Sequence, residues 1–154
     1  PQSLKVSMCQ IVRQAEQLSD LTFIDCGSGK NELTDALLAM SDIVVVSLPQ
    51  NRSSLESYFV KKYIFSEKVV YLMNCYQQDS ACSRKDLTRL YRVREEDLGV
   101  ILYNPIFRHA SDKGRTERFV RRHIRGASVE NQYEFMQELM QTTRLILKHI
   151  GIEG

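Results

Sequence analysis

An α/β fold, with a mostly parallel sheet of about four strands and helices on both faces, is the architecture this sequence predicts. Three observations predict it. Short apolar runs alternate with segments of helical periodicity along the chain. The runs at residues 21–25, 43–48, 68–74 and 98–103 are rich in Val, Ile, Leu, Phe and Tyr and do not alternate with polar residues, as suits strands covered on both faces. Each run closes on turn-forming or polar residues: Asp25 to Gly29, Pro49, Asn74, and Asn104-Pro105.

The elements follow in order. Leu4, Met8, Ile11, Val12, Ala15 and Leu18 recur at helical spacing between Gln10, Arg13, Gln14 and Glu16, which makes residues 4–18 an amphipathic helix with those apolar residues inward. The run at residues 21–25 follows as the first strand. Residues 31–40 read as a helix with Leu33, Ala36, Leu37 and Met40 inward, broken by Ser41-Asp42. Residues 43–48 give the clearest strand, stopped by Pro49. Asn51 suits the N-cap of the next helix, whose inner face is Leu55, Tyr58, Phe59 and Tyr63. After the strand at residues 68–74, Ser83 and Asp86 have capping-box spacing ahead of a short basic helix. Glu95-Glu96-Asp97 separates that helix from the last strand. The C-terminal helix carries Tyr133, Met136, Leu139, Met140, Thr143, Ile146, Leu147 and Ile150 as its apolar stripe and ends at Gly151.

Composition bounds the function. The chain has 154 residues, 43% of them hydrophobic, enough for one domain spanning the whole sequence. A net charge of +2 does not by itself imply a polyanionic partner. No apolar stretch reaches the length of a membrane span and no signal peptide is evident, so the expected compartment is the cytoplasm. Cys9, Cys26, Cys75 and Cys82 form no C-x-x-C pair, which argues against a zinc site and a disulfide framework. A start at Pro1, running straight into a helical pattern, leads to the expectation of a fragment or processed piece.

Two phosphate-binding motifs fail on spacing. Gly27-Ser28-Gly29-Lys30 resembles a P-loop, but the positions for the first glycine and for the hydroxyl after the lysine hold Ile24 and Asn31. A G-x-G-x-x-G turn fails because Glu32 stands three residues after Gly29. Residues 108–125 hold seven basic side chains, Arg108, Lys113, Arg115, Arg118, Arg121, Arg122 and Arg125, against Asp112 and Glu117. Such a segment suits either a solvated face or an acidic partner.

Read together, the strand ends are Asp25-Cys26-Gly27-Ser28-Gly29, then Ser47 to Asn51, then Asn74-Cys75-Tyr76, then Tyr103-Asn104-Pro105. With Ser41-Asp42-Ile43-Val44-Val45-Val46 before Pro49 and Gly99-Val100-Ile101-Leu102-Tyr103-Asn104, this order resembles the C-terminal half of the MinD/ParA group of P-loop ATPases over residues 4–125. The variants associated with pilus or secretion assembly are the nearest in character. The resemblance implies that Asp25, in the Walker B position, holds the Mg²⁺ of Mg-ATP through water and that the Gly29 amide senses the γ-phosphate. It implies that Asn74 bonds the adenine edge while Asn104 and Pro105 lie along the base. It further implies an ATP-dependent homodimer that positions a protein partner or cargo, with DNA contact through Arg115, Arg118, Arg121 and Arg122. The family's Walker A loop has no counterpart in this sequence, so ATP and Mg²⁺ are expected only with an upstream half, and hydrolysis by this chain alone is not expected. Two other readings stand beside it: a non-catalytic interaction module on the same scaffold, and a nucleic-acid or membrane-surface binder acting through the arginine segment. Asp25 and Asn74 also suit plain turn residues at strand ends.

Overall fold

The computed structural model of the chain describes residues 2–28, 31–60, 68–80, 82–124 and 130–152. Gly29, Lys30, Tyr63 and Arg125 lie outside the described residues. The chain divides into two compact units, Pro1–Val44 and Val45–Gly154.

In the first unit, helix α1 (Gln2–Glu16) packs on α2 (Glu32–Met40). Asn31 caps α2 by accepting a bond from the Thr34 amide at 2.9 Å. Val12 and Leu37 are the buried residues of this pair, whereas Leu4, Ile11 and Leu18, expected inward from their spacing, are exposed. The expected first strand does not form: residues 21–26 have no regular structure. An apolar run becomes a strand only where a neighbour pairs with its amides and carbonyls. No ladder includes this run, and Phe23 stands 86% exposed.

The sheet therefore has three parallel strands rather than four, in the order β1-β2-β3: β1 (Val44–Pro49), β2 (Val69–Tyr76) and β3 (Leu98–Leu102). Helix α3 (Arg52–Val60) connects toward β2, with Asn51 accepting from the Ser54 amide at 3.1 Å. Helix α4 (Arg84–Tyr91) follows β2 and starts in the expected capping box, Ser83 and Asp86 each bonding the other's backbone amide. A 3₁₀ turn, Glu95–Asp97, leads into β3. Beyond the sheet come α5 (Pro105–Asp112), α6 (Thr116–Ile124) and α7 (Glu130–His149).

Alternation along β3 sends its side chains to different cores. Leu98 and Val100 join Leu48, Leu55, Met73 and Leu87 under α3 and α4. Ile101 joins a second core with Phe107, Phe119, Phe135 and Met136 from α5, α6 and α7. The ring centroids of Phe107, Phe119 and Phe135 lie 5.0–6.0 Å apart in edge-on and tilted pairs. Strand β1 departs from its expected form. It alternates, with Val44 and Leu48 buried and Val45 and Ser47 exposed, because the described residues cover only one of its faces.

Helix α7 runs antiparallel to β3 and is tied to it at Gly99 and Val100. The Thr142 hydroxyl accepts from the Val100 amide at 3.1 Å and donates to the Val100 carbonyl at 2.8 Å. It thereby satisfies one residue of an edge strand in the way a further strand would. Gly99 makes the approach possible, since a Cβ there would lie 2.7 Å from Thr142 Cγ2. The buried stripe of α7 is accordingly Gln132, Phe135, Met136 and Thr142, rotated from the apolar stripe expected, and Tyr133 and Met140 are exposed.

Replacing Gly99 with Ala overpacks this contact and lowers stability by about 1–3 kcal/mol. Thr142→Val strands the buried Val100 amide at a cost of about 1–3 kcal/mol. Thr142→Ser retains the hydroxyl and removes the clashing methyl, so it recovers part of the Gly99→Ala loss. A double-mutant cycle of urea midpoints reads that coupling.

Candidate functional site

Asp25 lies in the first unit, exposed, just before a tight turn. Its Oδ1 accepts from the Gly27 amide at 2.9 Å, and Gly27 takes a left-handed φ of 58°, a conformation that costs glycine little. The carboxylate thus shapes its own turn while remaining open to solvent. Beside it, burial first and the Asp25 charge second push the Cys26 thiol pKa up, which disfavours a reactive thiolate.

Of the other expected site residues, Asn74 lies toward the carboxyl end of β2 and Asn104 and Pro105 just past that of β3, in the second unit. Asn74, near the end of β2, donates through Nδ2 to Ser47 Oγ on β1. Immediately after it the backbone turns into the left-handed region at Cys75, φ 52°, and the β2–β3 register shifts between Met73 and Tyr76. The Tyr103 amide then bonds the Tyr76 carbonyl at 2.9 Å, keeping the two strand ends together past the irregularity.

Gln50 braces this edge. Its Oε1 accepts from the Gln77 amide at 2.8 Å, and its Nε2 donates to the carbonyls of Gln77 and Cys82 at 2.9 and 2.7 Å. The loop after β2 is thereby held against the end of β1. Position 50 is visible in the sequence as part of a strand end, but nothing local marks it as a brace, since its partners are backbone groups 27 and 32 residues away.

Asn104 is buried, 7% exposed, and both halves of its amide are engaged. Oδ1 caps α5 by accepting from the Phe107 amide at 2.8 Å, and Nδ2 donates to Gln132 Oε1 on α7 at 2.6 Å. Pro105 occupies the first turn of α5, where its lack of an amide hydrogen costs nothing. Gln132 had no sequence signal of its own, being one polar residue on a helix.

The expected basic segment is broken into α5, a turn with Gly114 at φ 63°, and α6. Phe119 turns inward, and Arg118, Arg121 and Arg122 with Glu117 line an open cleft along α6. Glu117 holds Arg121 at 2.8 Å. Arg115, Arg118 and Arg122 are exposed and make no ion pair among the described residues. Among the described residues there is no group of three or more His, Cys, Asp and Glu arranged to hold a metal, and no helix long and apolar enough to cross a membrane.

No protein-family model, curated protein or solved structure matches this chain.

Asn104→Ala removes both a helix cap and the partner of a buried amide, at a cost of about 2–4 kcal/mol. Asn104→Asp retains the cap acceptor and loses the donor to Gln132, so its urea midpoint falls between those of wild type and Asn104→Ala.

Proposed function

We propose that this chain is the base-facing and metal-facing portion of a MinD/ParA-like ATP-binding domain, whose task is to position a protein partner or cargo. The observation that carries the reading is that Ser47, Asn74 and Asn104 lie toward or just past the carboxyl ends of successive strands of one parallel sheet, with Asn74 bonded to Ser47. Open α/β sheets bind ligands at that edge. Asn74 spends one amide hydrogen on Ser47, and among the described residues its carbonyl and second hydrogen make no further bond, so they could face a base. Asn104 acts as a positioning residue, because its amide is already committed to α5 and α7. Asp25 is an exposed carboxylate of the type that holds hydrated Mg²⁺. The sequence holds no loop of P-loop spacing, so no hydrolytic step is assigned to its residues. Bound Mg-ATP would bring the triphosphate and metal, and with them dimerisation.

Calorimetric titration of Mg-ATP into the longest chain its gene encodes tests the reading. Wild type binds, Asn74→Ala weakens binding about tenfold by losing roughly 1–1.5 kcal/mol of hydrogen bonding, and Asp25→Ala removes the Mg²⁺ dependence. Absence of Mg-ATP binding by the wild-type protein would rule it out.

A second reading, favoured by Arg115, Arg118 and Arg122, which are exposed and make no ion pair among the described residues, is that α6 lies on a nucleic-acid backbone. Arginines contacting phosphates release counterions, so binding weakens steeply with salt. Replacing Arg118 or Arg122 with Ala lowers the log–log salt slope of duplex binding by about one each. A slope near zero in wild type contradicts this reading.

A further inference from the structure

Asp97 ends the 3₁₀ turn before β3 and is 7% exposed. Arg94 donates to it through Nε at 2.6 Å and Nη2 at 3.1 Å. On its other side stands His149, the last residue of α7, whose Nε2 lies 2.9 Å from Asp97 Oδ1. The remaining ring nitrogen, Nδ1, lies 2.9 Å from the Leu145 carbonyl oxygen. A carboxylate and a carbonyl are both acceptors. A neutral imidazole has one N–H to donate, and only the cation has two. Making both bonds together therefore requires the imidazolium.

We infer that His149 is a proton-operated clasp between the C-terminal turn of α7 and the turn that starts β3, closed when the ring is cationic and slack when it loses a proton. The surroundings are consistent with it. The Leu145 carbonyl and then Asp97 raise the His149 pKa above its ordinary 6.5, against partial burial and the Arg94 charge. The C-terminus of a helix also favours a cation. Burial would raise the Asp97 carboxyl, but the bonds from Arg94 and His149 outweigh it and hold that group below its ordinary range. Glu96 pairs with Arg94 at 2.9 Å, which tempers the repulsion between Arg94 and the imidazolium. Tyr71 on β2 feels the Asp97 charge, and after burial that charge is the second cause of its raised pKa, so it remains a neutral phenol where the clasp operates. Lys148, on the adjoining position of α7, adds a second cation to the same helix end.

The sign follows from the raised value. The clasp contributes its full stability below pH 6.5, and that contribution is lost as pH rises through the higher folded-state value. The Thr142 and Gln132 ties hold no group that titrates in this range, so loosening is confined to residues 145–150.

NMR titration of the histidine rings, combined with amide hydrogen exchange of the whole chain across the same pH range, tests the clasp. The expected result is a His149 that titrates above 6.5 with both ring hydrogens present at low pH, and loss of protection in residues 145–150 as it deprotonates. Asp97→Asn should lower the titration and abolish the pH dependence of that protection. In parallel, the stability advantage of wild type over His149→Gln should vanish as pH rises. Should Asp97→Asn not fold, this comparison decides alone. A ring that titrates at or below 6.5, or an advantage over His149→Gln that does not change with pH, overturns the clasp.

Discussion

The close approach of Thr142 to Gly99 is the constraint on which the second unit depends. A parallel sheet has to be covered on its faces, and its outer strand offers unpaired backbone groups. Thr142 resolves both problems at one point, by satisfying Val100 and by bringing α7 onto the β3 face that lacks a side chain at Gly99. Everything else on that side is arranged around the helix so placed. The helical rise carries α7 about 25 Å from Gln132 to His149, and an extended chain covers roughly 23 Å from Asp97 to Asn104. The match lets one helix meet β3 at its centre, at the second residue after its end and at the residue before its start.

Each tie has a different chemistry. Thr142 and Val100 exchange neutral hydrogen bonds in a buried setting, where an unsatisfied amide is costly. Gln132 and Asn104 join two amides and fix the first turn of α5. Arg94, Asp97 and His149 form a charged group at the half-buried end. A further ion pair, Arg84 with Glu138 at 2.5 Å, links α7 to the start of α4. The carboxyl edge inherits its rigidity from these ties, because β3 and α5 cannot shift without breaking one of them. Asn74 and Ser47 therefore sit on a fixed platform, braced from below by Gln50.

Much of this was legible from residue pattern where the physics is local. The Ser83–Asp86 capping box, the Asn51 cap and the stop at Gly151 all depend on neighbours within a few residues, and all appear as read. Legibility failed where pairing partners decide. Residues 21–25 have strand composition, yet composition cannot supply a neighbouring strand, and the run stays irregular with Phe23 in solvent. The unbroken apolar run of β1 suggested two covered faces, but the second depends on what packs there. In α7 the apolar residues misplaced the buried face, because Gln132 and Thr142 are turned inward by polar partners 28 and 42 residues away. The site shows the same division. The ends of the last three strands were readable and the first was not, since its strand does not form, whereas the commitment of Asn104 to α7 and the brace at Gln50 came from long-range contacts.

Native-state hydrogen exchange of the second unit reports which of its segments open together. If the Thr142–Gly99 contact organises the unit, the amides of β3 and of the middle of α7 exchange with one shared free energy, equal to that of global unfolding. Exchange of the α7 amides through a separate, lower-energy opening that leaves β2 and β3 protected would contradict it.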